Sequence, residues 1–355
     1  MSKKVLMKGN EVIAEAAIRA GCKYYFGYPI TPQTEIAHYM AKRMPEIGGV
    51  FLQAESEIAA INMVYGAAST GVRAMTSSSS PGISLKQEGF SYLAGAELPC
   101  VVVNIVRCGP GLGGILPAQS DYFQTVKGGG HGDYKMVALA PESVQELYEL
   151  TVEAFNIADR YRITVMVQGD GILGQMMEAV EFKDKEVVDV VEKPWATTGT
   201  KMKRDHNVIT SIYIDPEVLE QHNLKLQAKY RVIEENEVKV EEYNCENADI
   251  IIVAYGSVAR IAKSVIKLAE KEGIKVGLIR PITLWPYPSK VFDKYVDKVN
   301  SFLTVELSAG QMVEDVRLAV NGRKPVHFYG RMGGMVPTNK EIILKIKEIL
   351  GGETK

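Results

Sequence analysis

Tyr28-Pro29-Ile30-Thr31-Pro32-Gln33-Thr34-Glu35 is the stretch whose reading decides the fold. It follows an aromatic run, Tyr24, Tyr25, Phe26 and Gly27. Each proline fixes its own φ and drives the residue before it toward extended geometry. Ile30 and Thr31 therefore read as a stiff elbow behind a short strand over 23–28. A helix is expected from near Pro32, which suits a first-turn position because no N–H is lost there. That reading puts Thr31 at the helix N-cap and Glu35 in the first turn. Open α/β sheets place ligands at the C-terminal ends of their strands, where such an elbow stands. An ordinary strand-to-helix turn fits the same residues.

Outward from the elbow the pattern alternates. Residues 9–21 read as an amphipathic helix, with Val12, Ile13, Ala16, Ala17 and Ala20 at helical spacing and Gly21 as a stop. A helix over 33–44 ends at Pro45, and 50–53 is an apolar strand. Residues 54–70 form a helix rich in small side chains, with Ile58, Ile61, Val64, Tyr65 and Ala68 on one side. A strand over 73–77 leads into four serines, then a helix over 83–94. The run PCVVVNIV (99–106) is continuous and apolar, as in a strand buried on both faces of a parallel sheet. It opens into a glycine-rich loop, Arg107 to Gly114. A second glycine-rich loop spans 128–134, followed by a strand at 137–140, a helix over 143–160 and a strand at 164–168. This is a doubly wound α/β domain over about residues 1–180. Residues 181–245 are densely charged and read as a linker with short edge strands. A second α/β unit covers 246–355, opening with the strand IIIVAY (250–255).

The chain has 355 residues, 46% hydrophobic, with a formal net charge of −2. That length suits about two domains with full cores. The near-neutral charge gives no ground for nucleic acid or an anionic membrane surface as partner. The first residues have neither the apolar core nor the cleavage site of a signal peptide, and no apolar run is long enough to span a bilayer. Cys22, Cys100, Cys108 and Cys245 form no C-x-x-C pair and no cluster or zinc spacing. They read as buried free thiols in a reducing cytoplasm.

Several motifs, in order, resemble one family. KVLMKGNEVIAEAAIRAGCKYYFGYPITPQTE, the Gln-Ala-Glu-Ser-Glu run at 53–57, GDGILGQMMEAV and RPITLWPYP are similar to the α-type subunit of multi-subunit 2-oxoacid:ferredoxin oxidoreductases. The resemblance covers nearly the whole chain and is closest to the branched-chain, 2-oxoisovalerate (3-methyl-2-oxobutanoate) enzymes. It implies a thiamine diphosphate-binding fold of the pyrimidine type over 1–180 and a transketolase C-terminal-like domain over 246–355. It implies oxidative decarboxylation of a 2-oxoacid to an acyl-CoA and CO2, with reduction of ferredoxin.

The family pattern places its catalytic glutamate nine residues ahead of the Gly in a pair of a hydroxyl or ring residue and Gly, which selects Glu57 before Tyr65-Gly66 here. A carboxyl group against N1′ of the aminopyrimidine helps the cofactor's 4′-imino form arise. Glu55, two residues away on a helix, cannot share that direction. Both acids also fit an ordinary first turn of a helix. Pro29 and Ile30 fall at the cofactor-facing elbow. Thr31 and Arg107 match the family's substrate contacts: a guanidinium can take the 2-oxoacid carboxylate in a fork, and a hydroxyl can bond the carboxylate or ketone.

Gly109, Gly111, Gly113 and Gly114 do not make a dinucleotide fingerprint, and a mobile loop over the site is the expectation. His131 is a weaker candidate for a contact to substrate or CoA. Gly169-Asp170-Gly171 resembles the family's Mg²⁺ and diphosphate motif, which needs an Asn pair about 25–30 residues later. ILGQMMEAVEFKDKEVVDVVEKPWATTGTK contains no Asn, so no metal site is expected at Asp170. The diphosphate and Mg²⁺ are then expected on a β-type partner subunit. A γ-type subunit and a ferredoxin-like [4Fe-4S] subunit are implied as well, with the iron–sulfur clusters on partner chains only. The same subunit type acting on 2-oxoglutarate or pyruvate, and a non-catalytic assembly subunit, remain as alternatives. A self-sufficient transketolase-like enzyme is opposed by the missing Asn pair.

Overall fold

The structure is a computed structural model that describes residues 4–183 and 191–352. The chain opens with β1 (Lys4–Lys8) and α1 (Gly9–Arg19), then β2 (Tyr24–Gly27), α2 (Thr34–Glu46), β3 (Val50–Gln53) and α3 (Glu57–Ser69). Next come β4 (Ala74–Ser78), α4 (Ser80–Leu85), α5 (Gln87–Gly95), β5 (Cys100–Val106), α6 (Tyr122–Val126) and β6 (Val137–Leu139). The first unit is completed by α7 (Val144–Tyr161), β7 (Thr164–Asp170), α8 (Gly171–Gln175) and β8 (Met177–Glu181).

Then follow α9 (Pro216–Asn236), β9 (Val240–Tyr243), β10 (Ile250–Val253), α10 (Gly256–Lys271) and β11 (Val276–Pro281). The remainder is β12 (Thr283–Trp285), a 3₁₀ turn over Ser289–Lys294, β13 (Ser301–Glu306), α11 (Met312–Val320), β14 (Val326–Gly330) and α12 (Asn339–Gly352).

Two sheets dominate. The first runs β12-β6-β7-β5-β4-β2-β3, parallel except for β12. The second runs β14-β13-β10-β11-β9, parallel except for β9. A small antiparallel pair joins β1 to β8. The central strands are buried because helices cover both faces: every residue of β5 and of β10 is buried. Ser143 caps α7 by accepting from the Glu146 amide, and Asp215 caps α9 by accepting from Glu217 and Val218.

The two sheets share one core cluster, and polar bonds lock them together. Gln119 donates to the Tyr255 carbonyl and accepts from the Leu307 amide. Arg280 of β11 forks onto Glu146 of α7, both bonds at 2.8 Å. Ser257, at the head of α10, donates to Asp170 at the end of β7.

Several expectations are corrected. Thr31 is not the N-cap: α2 begins at Thr34 behind Gln33. The Gln33 amide bonds the Ile30 carbonyl at 3.2 Å, closing a turn, so Pro32 lies in that turn rather than in the helix. Pro45 lies inside α2, which runs one residue beyond it. Ile58 points outward at 48% exposure, whereas Glu57, Ala60, Ile61, Val64 and Ala68 form the buried face of α3. The charged stretch at 181–245 holds more than short strands. Within it α9 is a 21-residue helix, tethered through buried Leu226, Tyr230 and Ile233; residues 184–190 lie outside the described residues. Strand β12, from the second half of the chain, pairs with β6 and so belongs to the first sheet.

Candidate active site

Strands β3, β2, β4 and β5 lie side by side. The loops at their C-terminal ends carry Glu57, Thr31, Ser79 to Gly82, and Arg107 respectively. From β2 the chain crosses to β3 on one side, and from β4 it crosses to β5 on the other. The connections diverge between β2 and β4, which makes that crevice a topological switch point.

The elbow is held from beneath. Asn10 donates to the Pro32 carbonyl and to Glu35, each at 2.8 Å, and Gln175 reaches the same two acceptors at 3.2 and 2.9 Å. Lys8 bonds Glu35 at 3.2 Å. Burial alone raises the Glu35 carboxyl, but the bonds from Asn10, Gln175 and Lys8 leave it below the usual range. Buried Gln33 accepts from Ser77, whose hydroxyl also pairs with Tyr25. Ile30 is half-buried, whereas Pro29 and Thr31 are exposed at the tip.

Glu57 is the first residue of α3, held there by Ser56, whose Oγ accepts from the Ala59 amide at 3.1 Å. It is buried, whereas Glu55 is exposed. Among the described residues no hydrogen bond reaches the Glu57 carboxylate. Its neighbour across the crevice is Gly82, where a Cβ would stand 2.6 Å from Glu57 Oε1 and 2.1 Å from Ser78 Oγ. Any side chain there would displace the carboxylate. The Ser78 and Ser79 hydroxyls are buried and have no bonding partner among the described residues. Lys86 is fully buried, and its Nζ donates to the Glu57 carbonyl at 3.2 Å. Burial pushes Lys86 down to about 8, against the pull of the nearby Glu57 charge.

Arg107 ends β5 and is 8% exposed. Its Nη1 donates to the Thr31 carbonyl at 3.0 Å and its Nη2 to the Leu112 carbonyl at 3.3 Å. Its Nε is buried and has no bonding partner among the described residues. The glycine loop folds back on the strand end through the bonds Cys108 N–H to Leu116 and Gly114 N–H to Cys108. A cavity of about 450 Å³ opens beside it, lined by Ser80, Pro81, Arg107, Asp121, Ser308 and Gln311 among others. The cavity therefore draws on the strand ends of both sheets. Burial raises the Asp121 carboxyl, partly offset by bonds from Asn104 and Ser80.

The structure thus brings Thr31 and Arg107 together and seats Arg107 in a cavity wall. Glu57 does not line that cavity. It approaches through Gly82, the neighbour of cavity-lining Pro81. His131 stands apart: it is exposed, its carbonyl accepts from Ser91, and its ring meets Tyr92 edge-on. Asp170 is fully engaged, capping α8 through the Ile172 and Leu173 amides and accepting from Ser257. A larger cavity of about 640 Å³ lies at the β9–β11 edge. Its acids Glu242 and Glu246 are neutralised by Lys294 and Lys298.

Sequence reasoning did not find Lys86, Asp121 or the Gly82 notch. Lys86 did leave a trace: it falls between Ile83 and Phe90 on the periodic buried face of 83–94.

Residues 15–242 match the family described as "Pyruvate flavodoxin/ferredoxin oxidoreductase, thiamine diP-bdg", and residues 248–342 match "Pyruvate:ferredoxin oxidoreductase core domain II". Ketoisovalerate oxidoreductase subunit VorB of Methanothermobacter marburgensis is 51% identical over 98% of this chain and 98% of its own length. The 2-oxoglutarate synthase subunit KorA of Archaeoglobus fulgidus is 38% identical, covering 98% and 99% of the two chains. Among solved structures, the 2-oxoglutarate:ferredoxin oxidoreductase of Magnetococcus marinus, with 2-oxoglutarate, coenzyme A and succinyl-CoA bound, superposes with a TM-score of 0.88 at 28% identity. That match covers 98% of this chain and 65% of the solved one. A split-gene transketolase shares the fold alone, with a TM-score of 0.59 at 13% identity. With both units matched, this chain belongs to the pyruvate flavodoxin/ferredoxin oxidoreductase family.

Proposed function

We propose that this chain supplies the pyrimidine side of a shared thiamine diphosphate site in a multi-subunit 2-oxoacid:ferredoxin oxidoreductase that acts on branched-chain 2-oxoacids. The observation that carries the reading is the Glu57 carboxylate: buried, without a hydrogen-bonding partner among the described residues, at a sheet's switch point, and facing a notch kept open by Gly82. A carboxyl group in that state fits a pyrimidine ring nitrogen with which it can share one proton in a hydrogen bond. Thiamine diphosphate supplies the electron sink for decarboxylation when bound. On this chain, Glu57 would hold N1′ of the aminopyrimidine, and Pro29 and Ile30 would form the wall beside it. Arg107 and Thr31 would orient the 2-oxoacid, the guanidinium meeting the carboxylate.

Asp170 is committed to capping α8 and to Ser257, so the diphosphate and Mg²⁺ are assigned to a β-type partner. Among the described residues no cluster of three His, Cys, Asp or Glu side chains could hold a metal. The iron–sulfur clusters are assigned to a ferredoxin-like partner, with a γ-type subunit completing the complex, and CoA and external ferredoxin as co-substrates. Four buried free thiols suit a reducing cytoplasm. The branched-chain assignment rests on the 51% identity to a ketoisovalerate oxidoreductase subunit, against 38% to a 2-oxoglutarate synthase subunit.

The test is to isolate the native complex through a tag on this chain and follow viologen reduction with CoA and a panel of 2-oxoacids. Fastest turnover on branched acids is expected. A preference for 2-oxoglutarate or pyruvate would move the substrate and keep the mechanism. No reduction with any acid, from a complex retaining cofactor and clusters, would overturn the reading in favour of an assembly subunit.

A further inference from the structure

Lys86 is a buried ammonium beside the proposed acid. It is 0% exposed, yet lysine is almost never fully buried without a paired charge. It stands at the junction of α4 and α5, and its Nζ crosses to α3 to bond the Glu57 carbonyl at 3.2 Å. The same α4 turn carries Gly82, against which the Glu57 carboxylate rests. Helix α4 and the residue that ends it therefore hold Glu57 twice, by the Gly82 notch at its side chain and by the Lys86 ammonium at its backbone. Glu57 is the charged group that acts on Lys86 from a packed element. Glu88, on the helix that Lys86 leads into, is bonded to Tyr92. The 128–134 loop packed on α5 brings Tyr134, bonded to Gln87, and His131, against Tyr92.

We infer that Lys86 is a positioning residue for Glu57: its charged form fastens the first turn of α3 and balances the buried carboxylate, so that Glu57 is presented to the aminopyrimidine of thiamine diphosphate. The inference rests on the function proposed above. A buried ammonium bonded to one carbonyl disfavours folding, which is why placement of Glu57, rather than stability, is its role. Because burial lowers Lys86 to about 8, the grip loosens on the alkaline side of neutrality.

The test uses the whole complex, stripped of cofactor and titrated with thiamine diphosphate and Mg²⁺ while protein fluorescence is followed from pH 6.5 to 9.5. Lys86→Met keeps the length of the side chain and removes the charge. Its affinity should fall about tenfold at neutral pH and lose the decline through pH 8 that the unsubstituted complex shows. Its melting temperature at pH 7 should change little, because relief of the ammonium's desolvation and loss of its attraction to the Glu57 carboxylate oppose each other. Lys86→Gln, which retains a donor without the charge, should give the same flat profile and answers if the methionine variant does not assemble. An affinity and pH slope equal to those of the unsubstituted complex, or a lowered melting temperature with that slope intact, would overturn the inference and leave Lys86 structural. If the unsubstituted complex binds no thiamine diphosphate at all, it is the proposed function that fails.

Discussion

Arg107 Nη1 donates to the Thr31 carbonyl across 3.0 Å, which ties the guanidinium to the elbow. Its Nη2 meanwhile holds the Leu112 carbonyl of the glycine loop. A lysine has one charged nitrogen and cannot span both acceptors while meeting a carboxylate. Arg107→Lys should therefore raise the KM for the 2-oxoacid by about 10- to 100-fold, the worth of one charge-assisted bond. Steady-state viologen reduction at varied 2-oxoacid and saturating CoA measures it. An unchanged KM would remove Arg107 from the substrate site and leave it a brace between two loops.

Glu57→Gln keeps the shape of the side chain and removes the acid. Since the carboxylate has no hydrogen-bonding partner among the described residues, the fold should tolerate the change. Turnover should fall by roughly 10²- to 10⁴-fold, the range for a lost acid–base group. Exposed Glu55→Gln, two residues away, is the control and should leave turnover intact. Equal turnover for Glu57→Gln and the unsubstituted complex would favour the assembly-subunit reading.

The elbow was legible in sequence because two prolines restrict the backbone by themselves, without help from the rest of the chain. The buried strands β5 and β10 were legible as apolar runs, which Asn104 alone interrupts in β5. Helix α9 was not: only Leu226, Tyr230 and Ile233 are buried, a narrow stripe hidden among charges. Nor was β12, three residues between Pro281 and Pro286 whose pairing with β6 depends on a sheet formed far earlier in the chain. Ile58 misled for a related reason, since a helix apolar on several sides does not announce which face is covered. Glu57 was reached through a family pattern, whereas Gly82 and Lys86 were not reached. Their importance lies in contacts across about 25 to 29 residues, which periodicity cannot encode.

Arg280 tests the joint between the two sheets. It is 3% exposed and bonds Glu146 twice at 2.8 Å and Glu241 once at 2.6 Å. Removing Arg280 leaves Glu146 without its ion-pair partner while Glu142 and Glu241 keep Lys263, a loss of about 1–3 kcal/mol. Arg280→Ala should lower the melting temperature by several degrees, and Arg280→Lys should recover only part of the loss. Calorimetry on the two variants is the measurement. A melting temperature unchanged by Arg280→Ala would mean that the apolar core alone holds the sheets together.

Glu97 ties α9 to the first sheet and gives the fold an acid limit. Burial by itself would raise its carboxyl, but Lys229 and Lys225 reverse that and hold it at about 2, below the ordinary 4.5. A carboxyl lowered in the folded state binds fewer protons there than in the unfolded chain. Its contribution is thus complete above pH 4.5 and is lost as pH falls toward 2. Lys225 is 63% exposed on its side chain, so solvent screening reduces the contribution to roughly 1–2 kcal/mol. Glu97→Gln should be less stable than the unsubstituted chain at pH 7 and converge on it near pH 2, as thermal melts across that range would record. The loss should be local, with amides of α9 exchanging faster while those of β5 keep their protection. Parallel stability curves for the two proteins down to pH 2 would show that α9 is held by Leu226, Tyr230 and Ile233 and owes nothing to the ion pairs.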